Sequence, residues 1–135
     1  MKLTINTDGG SRGNPGPSGI GFVIKDETSK ILVEESAYIG ETTNNVAEYT
    51  ALIKGLEEVT KLSNIEEVKV ISDSELMVKQ LRGEYKIKQE HLQKLANDVK
   101  RLENSINKVI YTHVRREFNK EADKLVNIAI DKHQN

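Results

Sequence analysis

Leu3-Thr4-Ile5-Asn6-Thr7-Asp8 alternates apolar and polar side chains and runs out on a carboxylate. Leu3 and Ile5 fall on one side and Thr4 and Asn6 on the other, the two-residue period of a β-strand over residues 2–8. Next comes Gly9-Gly10-Ser11-Arg12-Gly13-Asn14-Pro15-Gly16-Pro17-Ser18-Gly19, a turn by composition. Two more strands are predicted near 20–26 and 30–39, joined by the polar run Asp26-Glu27-Thr28-Ser29-Lys30. Together the three read as an antiparallel meander.

Outward from the meander the period becomes helical. Between about 44 and 62, Val46, Tyr49, Ile53 and Leu56 recur every three or four residues, widened by Leu52 and Val59. Lys54, Glu57, Glu58 and Lys61 take the other side. Val68, Val70 and Ile71 predict a short buried strand ending at Ser72-Asp73-Ser74. A helix follows, with Ser72 and Glu75 spaced as a capping box and Gly83 as a stop. Leu92, Leu95, Val99 and Leu102 mark a longer helix over 88–104, and a last strand is predicted near 107–114. Asn119 is placed to cap a final helix with Ala122, Leu125, Val126 and Ala129 inside. The order predicts one α/β domain over residues 1–135, a mixed five-stranded sheet flanked by helices, two of its strands reached through helices.

Composition narrows the function classes. Hydrophobic residues make up 36% of the chain and charged residues 30%, as in a soluble globular domain. No apolar run approaches the ~20 residues needed to span a bilayer, and the N-terminus lacks the apolar stretch of a secretory signal. With no cysteine there are no disulfides or thiolate metal sites, which is compatible with a cytoplasmic protein. The net charge of −1 argues against a simple nucleic-acid binder, since such proteins are usually basic. A polyanionic substrate would need either clustered cationic side chains or metal ions.

The acids stand where ions could be held. Asp8 and Asp73 end strands, and ligands of open sheets gather outside such ends. Glu48 and Asp123 flank apolar helix faces, pointing obliquely inward, where a carboxylate is costly without a partner. Taken singly, Asp73 reads equally as a helix cap, Asp8 as a turn former, and Glu48 and Asp123 as flanking acids that reach water. Taken together, four acids at one end of a sheet require a cation or raised pKa values. Magnesium suits all-oxygen ligation and keeps waters for a phosphate-bearing substrate. Two such ions about 4 Å apart activate the attacking water and stabilise the leaving oxygen.

Thr7-Asp8-Gly9-Gly10-Ser11-Arg12-Gly13-Asn14-Pro15-Gly16, Thr42-Thr43-Asn44-Asn45-Val46-Ala47-Glu48, Ser72-Asp73-Ser74 and Asn119-Lys120-Glu121-Ala122-Asp123 follow one another in an order that resembles the type 1 ribonucleases H. The resemblance covers nearly the whole chain. It implies the ribonuclease H-like fold and endonucleolytic cleavage of the RNA strand of RNA–DNA hybrids, leaving 5′-phosphate and 3′-hydroxyl ends. It also implies Asp8, Glu48, Asp73 and Asp123 as catalytic ligands of two Mg²⁺ ions, with Mn²⁺ as a substitute. By the same resemblance Ser11, Asn14, Asn44 and Asn45 meet RNA or the hybrid surface, and Thr43 holds a DNA phosphate. Short amides and hydroxyls suit the 2′-OH that distinguishes RNA from DNA. Capping of the helix would account for one of Asn44 and Asn45, not both. The glycines beside Asp8 are expected to let backbone approach the minor groove.

Two departures from that pattern stand out. Gly83-Glu84-Tyr85-Lys86-Ile87-Lys88 links two helices directly where many relatives insert a basic, tryptophan-bearing arm. Lys79, Arg82, Lys86 and Lys88 read either as a modest substitute or as a solvated helix end. The compact His113-Val114-Arg115-Arg116-Glu117-Phe118-Asn119 resembles the short-loop, archaeal-like branch. His113 then reads as structural, and Arg116 either as a phosphate contact or as an exposed salt-bridging residue. Two other functions compete: a nuclease of the same fold acting on double-stranded RNA, and a hybrid- or RNA-binding module that does not cut. A monomer is the default, with no coiled-coil heptad in view.

Overall fold

The computed structural model describes residues 1–135. Its strands are β1 (Lys2–Ser11), β2 (Gly16–Lys25), β3 (Ile31–Thr42), β4 (Glu67–Ser72) and β5 (Val109–His113). Its helices are α1 (Asn44–Thr60), α2 (Glu75–Leu81), α3 (Glu90–Glu103) and α4 (Lys120–Gln134), with one 3-10 turn at Arg116–Phe118. The sheet order is β3-β2-β1-β4-β5. β1, β2 and β3 pair antiparallel; β4 lies parallel to β1 and β5 parallel to β4. This is the mixed five-stranded architecture the sequence predicts. No helix is long and apolar enough to cross a membrane.

Strand alternation divides the molecule in two layers. Leu3, Ile5, Phe22 and Ile24 send their side chains into a core shared with Tyr49, Leu52 and Leu56 of α1 and Leu92 and Val99 of α3. α4 packs on β2, β3 and β1, burying Ala122, Leu125, Val126, Ala129 and Ile130. Its inner face is the one the sequence marks.

Several local expectations need correction. The hairpin is longer than composition suggests: β1 continues to Ser11 and β2 starts at Gly16, paired down to Ser11 opposite Ser18. Glycine and proline weaken strand propensity, and the ladder overrides it. The buried face of α1 takes in the predicted Tyr49, Leu52, Leu56 and Val59 but also Ala47, Glu48, Ala51 and Gly55, while the predicted Val46 and Ile53 lie only at its edge. Small side chains carry little weight in a hydrophobic pattern, yet they permit the closest approach of helix to sheet. The cap of α2 is Ser74, whose hydroxyl accepts from the Met77 N–H (3.2 Å); Ser72 instead accepts from the Ser74 N–H (3.0 Å). Asn119 makes no side-chain cap for α4, because its amide is used elsewhere.

Gly83 does stop α2. It sits at φ +80°, with its own N–H on the Gln80 carbonyl and the Glu84 N–H on the Lys79 carbonyl. That pairing satisfies the last carbonyls of the helix.

Gly9 does not lie open to a groove as expected. It is buried against α1: a Cβ there would stand 2.2 Å from the Ala47 carbonyl oxygen and 2.6 Å from the Glu48 nitrogen. Only a residue without a side chain lets α1 come this close to β1 beside Asp8. A Cβ on neighbouring Gly10 would meet nothing nearer than Val126 at 3.7 Å. Gly9→Ala should therefore lower the unfolding free energy by about 2 kcal/mol or more, an overpacking cost. Gly10→Ala should change it by less than about 1 kcal/mol. Urea titration of the two variants against the parent checks the contrast.

Candidate active site

Parallel pairing of β1 with β4 sets Thr7 opposite Ser72, so Asp8 and Asp73 follow at matching ends of neighbouring strands. Asp8 is 6% exposed and Glu48 8%. Glu48 stands one turn into α1, and the close contact at Gly9 carries it inward. Its Oε1 accepts from the Gly9 N–H at 3.1 Å, while its buried Oε2 has no hydrogen-bond partner. Asp8, Glu48 and Asp73 each present a carboxylate oxygen, all within 4.8 Å of one another.

Asp123 completes the rim from the first turn of α4. Its Oδ1 takes the Arg116 guanidinium at 3.1 Å, and its side chain is 28% exposed. All four acids line one open cavity of about 440 Å³. Asp123 is nevertheless outside the tight trio, so the four expected ligands meet as three plus one.

Electrostatics follow from that crowding. Burial, then the facing charge of Glu48, pushes the Asp8 carboxyl far above the usual carboxylate range. Burial pushes Glu48 up as well, partly offset by its hydrogen bonds. Asp73 is raised chiefly by burial, with the hydrogen bond to Asp8 and the charge of Arg116 working the other way. A buried carboxylate oxygen without a donor beside two more carboxylates is the donor set of a divalent cation with oxygen ligands. The trio can hold a metal ion.

The other expected contacts sort by position. Ser11 and Asn44 line the cavity. The Ser11 N–H donates to Asn44 Oδ1 at 2.8 Å, and the Asn44 N–H donates to Asn14 Oδ1 at 3.0 Å. Thr43, not an asparagine, caps α1: its hydroxyl accepts from the Val46 N–H at 3.3 Å. Asn44 and Asn45 are therefore both released from capping, and Asn45 is exposed. Arg116 makes the salt bridge to Asp123, one of its two readings. His113 ends β5 opposite Ser72, with Nδ1 at 3.9 Å from Glu75. Lys79 and Arg82 are engaged with Glu75 and Glu84, whereas Lys86 and Lys88 are exposed and outside any ion pair.

One residue that sequence reasoning treated only as a cap has a larger part. Asn119 is 1% exposed; its Nδ2 donates to the Thr7 carbonyl at 2.8 Å and its Oδ1 accepts from Asn6 at 3.0 Å. It thus ties the start of α4 to the residue before Asp8. Its spacing of four ahead of Asp123 was the available signal, since residues four apart share a helix face.

Residues 6–129 match the family model described as reverse transcriptase-like. The bifunctional protein Rv2228c of Mycobacterium tuberculosis is 44% identical over 132 residues, which is 97% of this chain and 36% of that protein. This chain thus spans about a third of its length. A ribonuclease HI of Halobacterium salinarum is 37% identical over 92% of this chain and 62% of its own. The solved structure of LC11-RNase H1 in complex with an RNA/DNA hybrid superposes with a TM-score of 0.93 at 48% identity, covering 98% of this chain and 99% of that one. With sheet order, motif order and these likenesses in agreement, the chain belongs to the type 1 ribonuclease H family.

Proposed function

We propose that this chain hydrolyses the RNA strand of RNA–DNA hybrids, acting as a monomeric single domain with Asp8, Glu48, Asp73 and Asp123 as ligands of two Mg²⁺ ions, for which Mn²⁺ can substitute. The observation that carries the reading is the trio of converging carboxylates, Asp8 and Glu48 buried and Asp73 half-buried, with one orphaned oxygen, Glu48 Oε2. Support for the substrate comes from family membership and from LC11-RNase H1, whose solved structure holds an RNA/DNA hybrid.

The chain's own residues divide the work. Asp8 is held rigidly by β1 between β2 and β4, and the Gly9 N–H keeps Glu48 turned toward it. Bound among these acids, divalent cations supply activation of water for attack and neutralise charge on the phosphate and the leaving oxygen. Water oxygen attacks phosphorus, the bond from phosphorus to the 3′-oxygen breaks, and that oxygen leaves with a proton as a 3′-hydroxyl. No covalent enzyme intermediate is needed. Arg116 neutralises Asp123 and stands at the cavity edge, where it can meet a phosphate. Ser11, Asn14 and Asn44, joined by hydrogen bonds at the rim, offer the short polar groups suited to a 2′-OH. Asn45 and Thr43 stand next to Asn44 in the chain, and the family likeness gives Asn45 an RNA contact and Thr43 a DNA phosphate.

Asp8→Asn should fold and lose cleavage of a labelled hybrid by about a thousandfold or more, because metal catalysis supplies several kcal/mol. Turnover like the parent's would refute the role. A second expectation concerns the metal-free protein. Asp8, Glu48 and Asp73 all have raised pKa values in the fold. From the ordinary carboxylate range upward, the unfolded chain releases protons that the folded chain retains, so this contribution to stability declines as pH rises. In EDTA the Tm of the parent should fall more than that of Asp8→Asn between pH 5 and pH 8. Millimolar Mg²⁺ should recover most of the difference at the higher pH. Equal slopes with and without Asp8 would show that the cluster does not bind its protons this way.

A further inference from the structure

Arg12 lines the same cavity as the acids, yet the proposed chemistry leaves it unused. It is the first residue beyond β1, at the start of the turn that carries Asn14. Its guanidinium is spent on one helix: Nη1 lies 2.7 Å from Asp131 Oδ1 and donates to Gln134 Oε1 at 2.6 Å, and Nη2 donates to Asn127 Oδ1 at 3.3 Å. Asn127, Asp131 and Gln134 sit four, eight and eleven residues after Asp123, so all of them continue the stripe of α4 that begins with the acid. Asn127 also donates from Nδ2 to the Asp123 carbonyl at 3.1 Å.

The far side of the turn is tied in the same manner. Asn44, which exchanges hydrogen bonds with Ser11 and Asn14, stands one helical turn before Glu48 on α1. The turn is therefore fastened to both helices that carry acids, one turn from Glu48 on α1 and one to three turns from Asp123 on α4.

We infer that Arg12 is a positioning residue: it clamps the β1–β2 turn onto α4 and so holds the RNA-reading groups in register with the cutting site. The inference rests on the proposed reading of Ser11, Asn14 and Asn44 as RNA contacts. A direct phosphate contact by Arg12 is the competing role. Against it, the charge of Arg12 is already matched by Asp131 and its two terminal nitrogens both face helix acceptors.

The two roles part at Asp131, which is 59% exposed at its side chain and removable without harm to the core. Taking away a carboxylate by itself favours binding of a polyanion. A weaker grip in Asp131→Ala can then come only from the lost clamp. Steady-state cleavage of a labelled RNA–DNA hybrid in Mg²⁺ is measured for Arg12→Ala, Asp131→Ala, the double variant and Asn14→Ala. Each single change at the clamp should raise KM about threefold to fivefold, the scale of a half-exposed ion pair. Turnover number should stay within about twofold, and the double variant should be no worse than Arg12→Ala. If Asp131→Ala lowers KM or leaves it alone, the clamp is refuted even should Arg12→Ala fail to fold. A fall in kcat with KM unmoved would equally overturn it. Should Asn14→Ala leave KM unchanged, the reading of the turn as an RNA contact fails. Should Asn14→Ala raise KM while both clamp variants do not, the clamp alone fails.

Discussion

Three carboxylates whose oxygens lie within 4.8 Å of one another are held together against their own charge, and much of the molecule is arranged to keep them there. At about 4 Å two full charges repel by about 4 kcal/mol at an effective dielectric near 20. That exceeds what a single surface contact returns, so the cluster retains protons or takes a cation. The scaffold opposing the repulsion is backbone. β1 and β4 are locked in parallel register up to Thr7 and Ser72, and the Gly9–Ala47 contact brings α1 within reach. Backbone ladders cannot relax by choosing another rotamer, which is why the acids at their ends stay crowded.

The same crowding bears on how a chain of net charge −1 would act on a polyanion, as proposed above. A net charge of −1 gives the molecule no general attraction for a polyanion. Divalent ions at the carboxylates would place positive charge where the scissile phosphate has to lie, and there alone. The side chains around the site follow that economy: Arg116 is balanced by Asp123 and Arg12 by Asp131. Lys86 and Lys88, in the short α2–α3 link, are exposed and outside any ion pair. On the proposed reading, affinity would depend on metal and on local polar contacts.

Registration between the turn after β1 and the acids is a second consequence of the architecture. The turn after β1, the first turn of α1 and helix α4 come from distant parts of the chain, and the turn is joined by hydrogen bonds to the first turn of α1 and to the middle and last turns of α4. Asn119 fixes α4 to β1 beside Asp8, Arg12 fixes the turn to α4, and Asn44 fixes the turn to α1. The two asparagines are well suited to this, because short side chains lose little rotamer entropy on being held.

Much was legible in the linear order of residues. Alternation in Leu3–Asp8 and the helical spacings of α3 and α4 depend on local periodicity, and local periodicity survives folding, so strands, helices and the family likeness could be read directly. The acids were visible as charges at strand ends and helix edges, where an unpartnered carboxylate is expensive. Distances were not visible. That Glu48 is buried rather than oblique depends on Ala47, Ala51 and Gly55, residues too small to register in a hydrophobic pattern. That Asp123 stands apart from the trio, paired with Arg116, depends on where α4 lands on the sheet. The separate tasks of Thr43, Asn44 and Asn119 likewise depend on which partner lies across space, since a hydroxyl or amide serves a cap, a backbone carbonyl or a substrate equally well. Periodicity is a property of neighbours in the chain; convergence belongs to neighbours in space, and only the packed sheet and helices could choose among them.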